Sequence, residues 1–321
     1  MKHLKLTLAV MLLSSFILTS CDSNDDSDGI FDQAPTALEF QNIREQALEN
    51  ETQHFQFNAE DGWISLTTEN GVVIGINGSC LTKNGDPVTG MVDLEYVELF
   101  EKGKMLTTNK PTMGVLPGGE KALLISGGEF FMEATQDGVE LETTCTVQLQ
   151  VPTSLTSEDN DMILWNGTID EEGDLAWEEA DAANGQGGVF VEGGSYYAFL
   201  SQFGWSNIDR FYNDPRPKTT IYAQVPTGYD YTNSAIYLSY DGEDSGLAQL
   251  DTYEDGLFSE HYGQIPIGLE CHVIFITEED GNWRYAVKAV TIAENEVITF
   301  TLSETDLATE SELIAIINNL P

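Results

Sequence analysis

Carboxylates are the most abundant chemistry-bearing side chains in this sequence: 54 Asp and Glu stand against 13 Lys and Arg, a formal net charge of −41 over 321 residues. Hard oxygen ligands suit calcium, and one stretch concentrates them. Asp159, Asp161, Asp170, Glu172 and Asp174 are the candidate metal ligands, against the plainer reading of a solvated acidic hairpin. Two carboxylates about 5–9 Å apart could also hydrolyse a glycoside, but a chain this acidic makes such pairs by chance. Further on, alternation places Trp205, Asn207 and Asp209 on one face of a strand and Arg210 on the other. An Asp209 carboxylate paired with Arg210 or Arg216 would lock a junction between structural units. Trp205, Asp209 and Arg210 are therefore expected to be structural.

Other chemistries leave little trace. Beyond His3 the histidines are His54, His261 and His272, with no spacing that builds a zinc site or a triad. His272 beside Cys271 reads as a strand position, and His261 reads as a loop. The sequence holds no Gly-x-Ser-x-Gly, His-Glu-x-x-His, P-loop or Cys-x-x-Cys motif, so no catalysis is expected. The acidic balance excludes a nucleic-acid binder working by phosphate neutralisation and a peripheral protein held on anionic lipid by charge. Among the cysteines, Cys80 and Cys145 could pair, or could be small buried apolar residues like Cys271.

The elements that must carry these groups are mostly short strands. A helix is expected over 36–49, where Thr36 can cap, Glu39 follows three residues later, and Phe40, Ile43, Ala47 and Leu48 recur at helical spacing. Alternating runs follow at 54–58, in part at 63–67, at 91–99 cleanly from Val92 to Glu95 before the register shifts, and at 145–151, bounded by Asn70-Gly71, Asn84-Gly85 and Asp137-Gly138 turns. Residues 196–200 read as a buried strand. Pro215 and Pro217 break the pattern, which sets a domain boundary near 214. Strands resume at 219–225, 235–240, 271–276, 283–290 and 296–302, and a short helix capped by Thr305 or Ser311 closes the chain. The expected fold class is all-β: two β-sandwich domains, 36–214 and 215–321, with a short N-terminal and a short C-terminal helix.

The start of the chain reads as an address. Lys2, His3 and Lys5 precede a short apolar run to Leu18, as in a signal peptide over 1–20. Leu18-Thr19-Ser20-Cys21 resembles the bacterial lipoprotein lipobox, which implies cleavage before Cys21 and lipidation of its thiol. An acidic tether over 21–35 follows, and its Asp22–Asp28 stretch resembles the surface-export signal of Bacteroidota lipoproteins; a plain spacer is the alternative. Asn24, Asp26, Asp28 and Gly29 mimic part of an EF-hand loop, but Pro35 stands where its closing Glu belongs.

Residues 71–99, with Asn84-Gly85-Asp86-Pro87 in their middle, then Gly127–Thr135 and Gly204–Phe211, resemble a β-rich, ZU5-like domain recurrent in Bacteroidota surface lipoproteins. The final third is similar to the prealbumin-like sandwich of carboxypeptidase-regulatory-like modules. The resemblance implies an outer-membrane lipoprotein, exposed at the cell surface or facing the periplasm. It would act as a non-catalytic binding or scaffolding module with no cofactor unless calcium. Its partners would be the membrane through a lipid anchor and an envelope protein or glycan, without nucleic acid. An accessory glycan-binding or glycan-hydrolysing subunit is the alternative.

Overall fold

Helix α1 (Ala37–Glu51) starts at a reciprocal cap. Thr36 Oγ1 accepts the Glu39 N–H at 3.2 Å, and the Glu39 carboxylate accepts the Thr36 N–H at 2.7 Å. The computed structural model describes residues 34–169 and 175–321. The signal segment, Cys21, the tether up to Gln33, and Asp170, Glu172 and Asp174 lie outside the described residues. Residues 34–321 form one compact unit. Among the described residues no helix is long and apolar enough to cross a membrane.

The fold is all-β with short terminal helices. An eight-stranded sheet runs in the order Gln53–Asn58, Met91–Leu99, Lys121–Gln136, Gly204–Phe211, Ile163–Ile169, Leu175–Glu179 and Met113–Val115, with Val139–Glu140 attached to the long third strand. A five-stranded sheet lies across from it, ordered Gly187–Glu192, Ser195–Leu200, Val147–Pro152, Val73–Asn77 and Trp63–Thr67. Their inner faces share one core, in which Leu94, Tyr96, Phe130 and Met132 meet Ile74, Leu149, Tyr196 and Ala198. Past residue 217 the ladders belong to two further sheets. One is built on Lys218–Gln224 and Leu257–Pro266, the other on Ser234–Tyr240, Glu270–Glu279 and Asn282–Thr291.

The ladders thus divide near 214, but the apolar core does not. The strands Ser234–Tyr240 and Glu270–Glu279 are buried on both faces. Ile236, Leu238, Val273 and Phe275 point into their own sandwich. The alternate residues Ala235, Tyr237, Ile274 and Ile276 pack with Phe40 and Ala47 of α1 and with Val97 and Leu99 of the eight-stranded sheet. Helices α2 (Lys102–Thr107) and α3 (Glu310–Asn318) complete this layer through Met105, Leu106, Leu313 and Ile317. This explains the lost alternation after Glu95: Tyr96 faces one core while Val97 and Leu99 face the other. Thr309, rather than Thr305 or Ser311, caps α3, because Glu312 stands three residues after it and completes the box.

Cys80 and Cys145, 65 positions apart in sequence, are joined in a disulfide with Cα atoms 5.6 Å apart. Closing a loop of this length stabilises the fold by about 4 kcal/mol in the chain-entropy account. Cys271 is a buried free thiol whose pKa burial pushes up to about 12, so it behaves as a small apolar residue.

Candidate functional site

The strand Gly204–Phe211 pairs with Lys121–Gln136, setting Trp205 opposite Phe131, Asn207 opposite Glu129 and, past a bulge, Asp209 opposite Ser126. Trp205 packs on Phe131 at 5.2 Å between centroids and edge-on to Trp177 at 6.4 Å, with Lys110 Nζ 5.3 Å from its ring. Beside it runs a buried polar chain. The Gly128 N–H donates to Ser126 Oγ at 3.0 Å, Ser126 Oγ donates to Asn207 Oδ1 at 2.9 Å, and Asn207 Nδ2 donates to Asp209 Oδ2 at 2.5 Å. Glu129 is fully buried, and neither carboxylate oxygen has a hydrogen-bond partner among the described residues. Burial holds its pKa well above the usual range, and the Asp209 charge adds to this while Lys110 opposes it. Burial likewise raises Asp209.

The expected pairing of Asp209 with Arg210 or Arg216 does not form. Arg210, on the opposite face, donates through Nε to Asp159 Oδ2 at 2.6 Å, and Arg216 binds Asp214 through Nε at 3.0 Å. The strand alternation that buries Asp209 aims Arg210 away from it. Arg210 and Asp159 instead line a cleft of about 450 Å³ with Glu243, Asp244 and Ser245 from beyond residue 217. There the Ser126 N–H donates to the Ser245 carbonyl at 3.2 Å, which stitches the two sets of sheets together.

Of the proposed calcium ligands, Asp159 and Asp161 lie among the described residues. Asp159 is drawn below its usual range by the Asp161 N–H and by Arg210, so its charge is already compensated. Asp161 precedes the strand Ile163–Ile169, and its backbone N–H donates to Asp159 Oδ1 at 2.9 Å. Among the described residues no group of three or more His, Cys, Asp or Glu side chains is placed to hold a metal. His272 Nδ1 lies 2.8 Å from Asp241 Oδ1. His261 sits within the strand Leu257–Pro266 rather than in a loop, and its Nδ1 is 2.6 Å from Thr252 Oγ1. His272 thus meets a carboxylate and His261 a threonine hydroxyl.

Two surfaces are better formed. One is a groove of about 520 Å³ lined by Glu133, Glu140, Glu142, Phe131, Phe203 and Thr143. Burial and the neighbouring Glu140 and Glu95 raise the Glu133 pKa. The other is the outer face of the five-stranded sheet. The residues 196–200 do not form a strand buried throughout: Tyr196, Ala198 and Leu200 point into the core, and Tyr197 and Phe199 point out. Phe190 stacks on Tyr197 at 5.0 Å and 13°, and on Phe199 at 5.8 Å and 19°. The register sets Gln150 beside Tyr197 and Gln148 between Phe199 and Gly75. Trp63, 56% exposed on the edge strand, covers Gly75, where an added Cβ would fall 2.5 Å from the indole Cζ2. Of the three outward positions on each strand, only Glu192 carries a charge. The alternation of Gln148 and Gln150 was visible in the sequence, but their aromatic neighbours come from strands distant in the chain.

No family model matches this chain, and no curated protein matches it.

Proposed function

We propose that this protein is an exported, lipid-anchored component of a bacterial outer membrane that works without catalysis, as a binding module. The outer face of the five-stranded sheet carries this reading: on this acidic chain it is solvent-facing, aromatic and almost uncharged. The lipobox-like Leu18–Cys21 supports the anchor. The Cys80–Cys145 bond supports an oxidising compartment outside the cytoplasm. Anchoring by acyl chains needs no spanning helix, and two or more chains suffice for stable attachment.

The test is labelled palmitate in growing cells, followed by protease shaving of intact cells. The native chain takes up label and Cys21→Ser does not; normal labelling of that variant overturns the anchor. Shaving reports the face. Loss of the protein from intact cells places it outside, and changing Asp25, Asp26 and Asp28 to Ala then lowers that exposure while the protein stays membrane-bound. The acidic groove at Glu133, Glu140 and Glu142 gives the second reading, a glycan-hydrolysing subunit. Release of new reducing ends from a polysaccharide, lost in Glu133→Gln, would establish it in place of the non-catalytic one.

A further inference from the structure

We propose that the outer face of the five-stranded sheet binds an uncharged polysaccharide chain, seated on Trp63 at one end and on the Phe190–Tyr197–Phe199 stack at the other. The inference rests on the binding-module reading above and gives that module its ligand class.

The argument starts from Gly75. A side chain there would collide with the Trp63 indole, so glycine lets the ring lie down on the neighbouring strand. The indole then lies against the Gly75 backbone, and the residue is 56% exposed to solvent. Rings held flat lose little entropy on binding. Two strand spacings further, about 10 Å away, Phe199 shares the row of Gly75 and Gln148. Its ring is backed by Phe190, itself 46% exposed at the other edge of the sheet. Between the two aromatic ends stand Gln148 and Gln150, whose amides both donate and accept. Gln150 is steadied by Ser195 Oγ at 3.3 Å.

This mixture decides the occupant. A pyranose ring offers an apolar C–H face and a rim of hydroxyls, which match flat aromatic rings and amides respectively. An apolar protein partner would leave both glutamines unsatisfied on desolvation. A polyanion meets a chain of net charge −41, and a polycation finds only Glu192 on this face and is drawn to the acids elsewhere. A neutral chain long enough to cross five strands meets none of these costs.

The experiment is affinity electrophoresis of the full-length, detergent-extracted lipoprotein in native gels. The gels contain β-glucan, mannan, xylan or galactan, with polygalacturonate and chitosan as charged controls. At least one neutral polymer retards the native protein, and Trp63→Ala weakens that retardation roughly tenfold. Phe190→Ala weakens it less, and Glu45→Gln on the exposed side of α1 leaves it unchanged. Thermal melts within a few degrees of the native protein show that the variants are folded. No retardation by any neutral polymer, retardation by the charged polymers alone, or retardation indifferent to Trp63→Ala each overturns the proposal. Retardation accompanied by new reducing ends would overturn the non-catalytic reading while leaving this ligand class intact. A chain without palmitate would overturn the anchor alone.

Discussion

Glu98 and Glu129 lie one position apart on neighbouring strands of the eight-stranded sheet, Glu98 opposite Phe130 and Glu129 opposite Leu99, so they face opposite sides of it. Both are buried, at 2% and 0% exposure. Glu98 sits in a cage of donors: Gln53 Nε2 at 3.1 Å, the Asn70 N–H at 3.2 Å, Asn70 Nδ2 at 2.9 Å and Thr68 Oγ1 at 2.9 Å. Glu129 has none among the described residues. The same residue type is thus buried in two surroundings, one met by four donors and one without any, where burial favours the protonated form of Glu129. Three of these donors come from Thr68 and Asn70, in the turn after the strand Trp63–Thr67, and the fourth from Gln53, on the strand next to that of Glu98. Glu129 lies beside the Ser126–Asn207–Asp209 chain, whose donors are already spent on one another.

The largest effect should come from breaking the cage. Glu98→Ala strands the Thr68 hydroxyl and the Asn70 and Gln53 amides, and is expected to cost about 3 kcal/mol. The urea midpoint measures it. Glu98→Gln should recover part of the loss, because the amide oxygen still accepts. A cost for Glu98→Ala below about 1 kcal/mol would mean that the cage contributes nothing and that the contrast is only geometric.

Glu129 should respond in the opposite way. Glu129→Met removes no hydrogen bond, so the change at pH 5 should stay within about 1 kcal/mol. Its pH dependence is the sharper reading. The folded pKa values of Glu129 and Asp209 are raised, so the folded state binds more protons than the unfolded one. Their contribution is fully present below the ordinary values of 4.5 and 3.8 and is lost as pH rises toward the folded ones. Native melting temperature should therefore fall between pH 5 and pH 8 by more than that of Glu129→Met. Parallel curves would show that Glu129 is ionised in the fold after all.

Much of the fold was legible because local chemistry and tertiary fate agreed. Thr36 with Glu39 announced α1, and the clean alternation at 145–151 gave both the strand and the shared face of Gln148 and Gln150. Legibility failed where both sides of a strand are apolar. Tyr196 to Leu200 has no polar outer row, so the outward turn of Tyr197 and Phe199 left no mark. Helix α2 was missed because it is short and contains Gly103. That glycine is needed only because the Ile314 carbonyl and Asn318 of α3 come within 2.7 Å of where its Cβ would be. The site was less legible still. The Trp63–Gly75 contact and the Phe190 stack join strands paired across the sheet, and acid-rich composition drew attention to loops instead. Asp209 and Arg210 were recognised as a pair of interest, but their partners, Asn207 and Asp159, are set by strand faces and by a distant loop.

Glu260 lies between the two extremes. It is 2% exposed, yet the N–H groups of Gly263 and Gln264 donate to it at 3.1 and 3.0 Å, presented by a bulge in the strand Leu257–Pro266. Burial outweighs those two donors and holds the pKa up at about 7. The stabilisation is present below 4.5 and is lost as pH rises through about 7, so Glu260→Gln should flatten the pH dependence of stability across that window, by about 2–3 kcal/mol. An unchanged slope would show that the two donors suffice and would move Glu260 into the class of Glu98.

The smallest effect belongs to a carboxylate at the surface, and its sign is reversed. Asp214, at the changeover between ladders, is gripped by Arg216, whose backbone N–H and Nε donate to it at 2.8 and 3.0 Å. These bonds hold its pKa down at about 2, against an ordinary 3.8. The folded state therefore binds fewer protons here, and the contribution is present above pH 3.8 and lost as pH falls through about 2. Arg216 is 38% exposed at its side chain, and water and salt screen the pair, so its worth should be below about 1 kcal/mol. Asp214→Asn should lower the melting temperature slightly at pH 6 and not at all near pH 2, and 1 M salt should shrink the difference. A loss at pH 6 as large as that of Glu98→Ala would show that the pair locks the two sets of sheets together, and that exposure alone does not separate a strong carboxylate cage from a weak one.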